Sequence, residues 1–180
     1  MTTRLDLSKL SLMDALDLAA VIELEAFKRY TQFAEQFGSR DPDDAGAVFQ
    51  SMATNENKHC EQLAERRIAL FGDKPPKVTI DDIYDVEAPD FGAPRGNMSP
   101  LKAYRVALSS EKKAFAFYDQ ALRDITEPDV KALFEELRDE EAEHVAMLNE
   151  IIAKLPPSAA IDLEDEDSYP NRPVRTTMES

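Results

Sequence analysis

The sequence predicts an all-α fold: four long amphipathic helices packed as a bundle, with one long connection between the second and the third. Three observations predict it. Apolar residues recur at helical spacing over four segments of roughly 25–30 residues each. Glycine is scarce, at 5 in 180 residues, and the wealth of Ala, Leu, Glu and Lys favours helix. The first and last pairs of segments are joined by short turns, whereas 28 residues, 72–99, separate the middle two. Short turns make antiparallel hairpins, and one long crossover between hairpins distinguishes this order from a simple up-down-up-down bundle.

The first helix is expected from about Leu12 to Phe37. Ser11 can cap it, with Asp14 three residues on to close a capping box, and Gly38 stops it. Its inward stripe reads Leu16, Ala19, Glu23, Phe27, Tyr30, Phe33 and Phe37. The second opens at "RDPDDAG", where Asp41 can cap and Pro42 suits the first helical position. Its stripe is Ala45, Val48, Phe49, Met52, Glu56, His59, Leu63 and Leu70, and Gly72 with "DKPPK" ends it. In the crossover, "VTIDDIY" is read as a strand-like piece or a turn of helix. Ser99 and Pro100 open the third helix, whose stripe is Tyr104, Leu108, Glu111, Phe115, Tyr118, Leu122 and Ile125. The fourth runs from "TEPDV" to about Leu155, with Val130, Leu133, Phe134, Leu137, Glu141, His144, Leu148, Ile151 and Leu155 inward. The bundle is thus expected over residues 1–155. Residues 156–180 read as an acidic flexible tail, or as an arm laid across a subunit partner.

Composition excludes several roles. A net charge of −15 repels nucleic acid and anionic membranes, so neither is expected as a partner. No stretch approaches the length of a membrane span, and Asp14, Asp17 and Glu23 interrupt the apolar N-terminal region, which is not patterned as a signal peptide. The single cysteine, Cys60, forbids an intramolecular disulfide and fits a cytoplasmic location. With no Cys-x-x-Cys pair, no rubredoxin-type iron site is encoded here.

The chemistry lies where the apolar stripes are interrupted. Both histidines of the chain follow a glutamate by three residues, Glu56 before His59 and Glu141 before His144. With 18 glutamates in 180 positions, a given histidine meets this condition by chance about one time in ten, and both do so about one time in a hundred. Residues three apart share a helix face, so each pair offers an oxygen and a nitrogen to one cavity. Glu23 and Glu111 stand on the stripes of helices 1 and 3 at the same level. Four carboxylates in one core need strong positive charge, and two divalent metals would supply it. One Glu from each of two helices and a Glu-x-x-His from each of the others is the donor set of di-iron carboxylate bundles. The plan is repeated: Glu23 precedes Tyr30 by seven residues as Glu111 precedes Tyr118, and a turn and a Glu-x-x-His follow in both halves.

Other residues have plainer readings beside the functional one. Tyr30 and Tyr118 are candidate redox participants, candidate hydrogen-bond partners of a ligand carboxylate, or core tyrosines. Glu140 and Glu143 read as solvated, although Glu140 could take the place of Glu141. Cys60 is rotated by about 100° from His59 on the helix and reads as packing.

These residues resemble the ferritin-like di-iron superfamily, above all its rubrerythrin and bacterioferritin branch, over about residues 12–155. The resemblance implies that Glu23 and His59 hold one iron, Glu111 and His144 the other, and that Glu56 and Glu141 bridge the pair. It implies a di-iron oxidoreductase, peroxidase or ferroxidase in type, that reduces hydrogen peroxide or dioxygen as ferrous iron is oxidised. The alternatives are iron storage or transfer without turnover and a metal-free helical interaction protein. The same ligands also accept manganese or zinc. Two departures stand out. Rubrerythrins carry a further ligand Glu one turn after the helix-3 Glu, where this chain has Ala114, matched by Ala26 in helix 1. Bacterioferritins carry a haem-binding Met directly after the helix-2 Glu, where this chain has Asn57, so no haem is expected. Electrons would come from an external donor or from ferrous iron itself, and a homodimer is the expected assembly.

Overall fold

The computed structural model describes residues 6–38, 45–78 and 98–161. They form four helices, α1 (Leu12–Phe37), α2 (Ala45–Phe71), α3 (Pro100–Ala121) and α4 (Pro128–Lys154), with a 3-10 turn before α1 and another after α4. No strand occurs among the described residues. α1 packs chiefly on α2 and α3 chiefly on α4, and the two hairpins meet through α2–α3 and α1–α4 contacts.

Local chemistry sets the helix ends where the sequence placed them. The Ser11–Asp14 capping box forms: the Asp14 amide donates to Ser11 Oγ at 3.2 Å and the Ser11 amide to Asp14 Oδ2 at 3.4 Å. These bonds satisfy amides that have no partner within the helix. Gly38 (φ 62°) and Gly72 (φ 61°) close α1 and α2 in the left-handed region, where a side chain would be strained. Ser99 accepts from the Lys102 amide at 3.4 Å, and Pro100 sits in the first turn of α3. The cap expected at Asp41 and Pro42, and "VTIDDIY" beyond Val78, lie outside the described residues.

Three details differ from the expected stripes. α3 ends at Ala121, and the buried Ile125 lies beyond it, in the turn to α4. The buried face of α3 is lined by Ala103, Ala107, Ala114 and Ala121, while Tyr104, Leu108, Phe115 and Leu122 flank it half-buried. Methyl-sized residues at heptad spacing let the neighbouring helices approach closely around Glu111. On α2, Leu70 is exposed, and the stripe continues from Leu63 to Arg67 instead. Arg67 is buried because it is satisfied. Its Nε donates to Asp17 Oδ1 at 2.9 Å, Nη1 to the Gly72 carbonyl at 2.9 Å and Nη2 to the Lys74 carbonyl at 2.6 Å. The guanidinium fixes the end of α2, and the first residues of the crossover, against α1. At the other end of the chain, the first turn of the segment expected as a tail, Pro157–Ala160, packs on α3 with Ala159 buried. Residues 162–180 lie outside the described residues.

The apolar core falls into two clusters. One gathers Leu16, Ile22, Leu63, Tyr118, Leu133, Phe134 and Leu137; the other Tyr30, Phe33, Phe49, Met52, Ala107 and Leu148. On every helix the boundary between them is a glutamate: Glu23, Glu56, Glu111 or Glu141. Removing one partner of the Asp17–Arg67 pair leaves a buried charge uncompensated. Asp17→Ala is expected to lower the unfolding free energy by about 3 kcal/mol, read by urea denaturation, whereas Arg66→Ala, an exposed ion-pair partner on the next residue, is expected to cost under about 1 kcal/mol.

Candidate metal centre

The acidic layer is built by helix phase. Glu23, Glu56, Glu111 and Glu141 each occupy an inward position on a different helix, and each is at most 1% exposed. His59 and His144, one turn further along α2 and α4, reach the same layer from the side and are partly open to solvent. Two groups of donors result, Glu23–Glu56–His59 and Glu111–Glu141–His144, and within each the donor atoms lie within 4.8 Å of one another. His59 Nδ1 is 3.3 Å from Glu23 Oε2 and 4.0 Å from Glu56 Oε2. His144 Nδ1 is 3.1 Å from Glu111 Oε2 and 3.5 Å from Glu141 Oε2. The imidazoles stack face to face, 5.0 Å between ring centres and 8° between planes, so the groups abut.

All six residues singled out as metal ligands in the sequence are therefore brought together. Tyr30 and Tyr118 lie fully buried on either side of them. Tyr30 donates from its hydroxyl to Glu111 Oε1 at 3.4 Å, reaching across to the carboxylate of the other half rather than to Glu23 on its own helix. The repeat extends to packing: Tyr30 stacks on Phe49 of α2, and Tyr118 meets Phe134 of α4 edge-on. Asn57 turns to the helix surface, donating to Glu61 at 2.8 Å.

The electrostatics are those of buried acids without enough positive charge. Burial pushes Glu23 up to about 7, and the charge of Glu111 adds to the shift. Burial likewise lifts Glu56 and Glu141 well above the ordinary carboxylate value, reinforced for both by Glu111 and Glu23. Burial pulls His144 down, but its close contacts with Glu111 and Glu141 outweigh it and carry the imidazole up to about 11. Burial and the charges of Glu23 and Glu56 hold the Cys60 thiol protonated, up to about 12, as a packing residue rather than a thiolate ligand.

Several buried donor atoms lack hydrogen-bond partners: both oxygens of Glu23, both of Glu56, Oε2 of Glu141 and Nδ1 of His59. Native cores rarely leave such atoms unsatisfied. Five carboxylate oxygens and an imidazole nitrogen, converging in one layer, are what a pair of divalent metal ions takes as ligands. The donor set fits the metals that the sequence implied.

Glu140 is the residue that sequence reasoning undervalued. It is half-buried rather than solvated, and it lines a cavity together with His59. Its place one residue before Glu141 turns it by about 100°, off the stripe but toward the α2 side of the bundle.

Two abutting Glu–Glu–His groups across the middle of a four-helix bundle are a candidate site for a carboxylate-ligated metal pair. The family profile of the ferritin-like domain matches residues 13–157, and the chain belongs to that family. Among solved structures, an uncharacterised conserved protein of Magnetospirillum magnetotacticum is 30% identical, with a TM-score of 0.64 over 82% of this chain and 97% of that one. The bacterioferritin of Rhodobacter capsulatus, described with a metal-free dinuclear site and a haem iron, is 19% identical, with a TM-score of 0.55 over 87% of this chain and 96% of that one. Bacterioferritin BfrA of Mycobacterium tuberculosis is 18% identical, with a TM-score of 0.51 over 79% and 86%. No curated protein sequence matches the chain. No helix among the described residues is long and apolar enough to cross a membrane.

The raised acids fix the sign of a pH dependence in the metal-free protein. Glu23 binds its proton up to about 7 when folded but near 4.5 when unfolded, so the native state holds more protons between these values. Stability is then greatest on the acid side and falls as pH rises through about 7. His144, raised from 6.5 to about 11, continues the decline above neutrality. The melting temperature of chelator-treated protein is expected to drop steadily from about pH 5.5 to about pH 8.5, and a flat or rising profile by calorimetry would contradict the burial of these groups.

Proposed function

We propose that the protein is a non-haem di-iron oxidoreductase, rubrerythrin-like in type, that reduces hydrogen peroxide or dioxygen as ferrous iron is oxidised. The observation that carries the reading is the layer of buried carboxylate oxygens with no hydrogen-bond partner, set in two abutting groups that each include an imidazole. Glu23 with His59 would hold one iron and Glu111 with His144 the other, and Glu56 and Glu141 would bridge. Two iron ions held there would supply one electron each, matching the two electrons and two protons that turn hydrogen peroxide into two waters.

The residues of the chain do the rest. The carboxylates are hard oxygen donors that favour the oxidised metal. Tyr30 orients Glu111 through its hydroxyl. The proton that His144 holds in the metal-free state leaves when its ring nitrogen becomes a ligand, so metal uptake releases protons and weakens as pH falls. The apolar clusters pack against the layer along the bundle on either side. A separate protein or small molecule would return electrons, and we place the chain in the cytoplasm as a homodimer.

An anaerobic ferrous titration followed by absorbance, with dioxygen and peroxide then added separately, tests the reading. Two irons per chain and repeated oxidation cycles with added reductant are expected. Stoichiometric oxidation followed by arrest would instead mark a protein that stores or transfers iron. Glu56→Gln is expected to lose iron binding and oxidation together, while the metal-free variant gains about 1 kcal/mol of stability at neutral pH because folding no longer has to hold a proton on a buried acid. Tyr30→Phe is expected to retain both irons and to lower the oxidation rate by about tenfold.

A further inference from the structure

A cavity of about 290 Å³ opens between α2 and α4, lined by His59, Gln62, Leu63, Arg66, Leu133, Glu136, Leu137 and Glu140. On that measure a single water needs roughly 10–15 Å³, so the space holds many waters. Its walls are ordered by depth. Leu63, Leu133 and Leu137 are buried at the apolar side, and His59, a proposed ligand, touches the cavity at the level of the acidic layer. Glu140 stands half-buried between that level and the surface. Arg66 Nη1 donates to Glu136 Oε2 at 2.8 Å, joining α2 to α4 through two partly exposed residues of the lining.

Taking the metal site as proposed above, we infer that this cavity is the path by which a hydrated divalent cation reaches His59, with the Arg66–Glu136 ion pair as its gate and Glu140 as a carboxylate met in transit. The four central carboxylates are closed to solvent by their helices, whereas the two imidazole rings are partly exposed at their edges, with Nδ1 of His59 itself buried. Of the two, His59 lines this cavity, whose polar walls are Gln62, Arg66, Glu136 and Glu140. A cation on this path exchanges hydration water for Glu140 before it meets the imidazole, so its charge is accompanied inward. The gate is suited to opening. Its partners are 38% and 53% exposed, and a pair so solvated is held weakly. When it parts, Glu136 is left as an acid at the mouth, which attracts a cation, and Arg66 as a base, which repels one.

That opposition gives the inference its test. Cobalt(II), which changes no oxidation state on binding, is mixed with metal-free full-length protein, and its ligand-field absorbance is followed by stopped flow and then to equilibrium. Arg66→Ala leaves the acid and opens the mouth, and is expected to raise the loading rate by about tenfold. Glu136→Gln leaves the base, and is expected to lower it by about the same factor. Gln62→Trp, which narrows the mouth without a charge change, is also expected to slow loading. Cobalt stoichiometry at saturation stays that of the wild type in all three, because none of these residues is a proposed ligand. Arg123→Ala, removing the same charge from an exposed site on the far side of the Tyr118 cluster, is expected to leave the rate unchanged. If Arg66→Ala and Glu136→Gln move the rate in the same direction, or neither moves it, the gate is overturned while the metal site stands. If wild-type protein takes up no cobalt at all, the metal site itself fails and the path falls with it.

Discussion

The structure depends on one constraint: four carboxylates, each at most 1% exposed, lie side by side in the middle of the bundle. Taken alone, such a layer opposes folding. Each buried acid either keeps a proton at a pH where it would otherwise have lost it, or remains charged with too little to balance it. The Glu111–His144 contact supplies part of that balance, and the Tyr30 hydroxyl supplies a little more. The remainder of the molecule is arranged to hold the layer despite its cost. Two apolar clusters press on it from both ends, and the Asp17–Arg67 clamp closes the first hairpin beyond one of them. A bundle built for stability alone would have carried leucine at these four positions. Glutamate at all four, with most of its oxygens unpaired, points to a site.

Much of this was legible in the sequence because helices translate spacing into direction. The bounds of α1, its capping box and the two left-handed glycines followed from local residues alone. The six donors followed from a stripe interrupted by acids at one level on four segments. What was not legible depended on partners distant in sequence. Arg67 shares a turn of α2 with Leu70, and hydrophobicity favoured the leucine for the interior. Only Asp17, fifty residues earlier, and two carbonyls of the crossover make the arginine the buried one. On α3 the reading held for Glu111 and Tyr118, but Tyr104, Leu108, Phe115 and Leu122 are only half-buried, and four alanines share the interior instead. Glu140 was read as solvated. A residue just off the stripe faces water on an isolated helix, but here α2 covers it.

The repeat seen in the sequence continues into three dimensions. Each hairpin brings one complete Glu–Glu–His group, one buried tyrosine and one aromatic partner for that tyrosine. The imidazoles, one from each hairpin, stack where the halves meet. The departures from symmetry are correspondingly informative. Tyr30 reaches the carboxylate of the opposite half, and the clamp from Arg67 belongs to the first hairpin.

Since each hairpin carries a full donor group, two copies of one hairpin could in principle assemble the same six ligands by self-association. The 28-residue connection joins the two hairpins in one chain. What it adds is effective concentration: the second half is always present near the first, so the paired site forms at any dilution of the protein. Once the halves are joined in one chain they are also free to diverge, and a cavity leading to one imidazole can be shaped without altering the other.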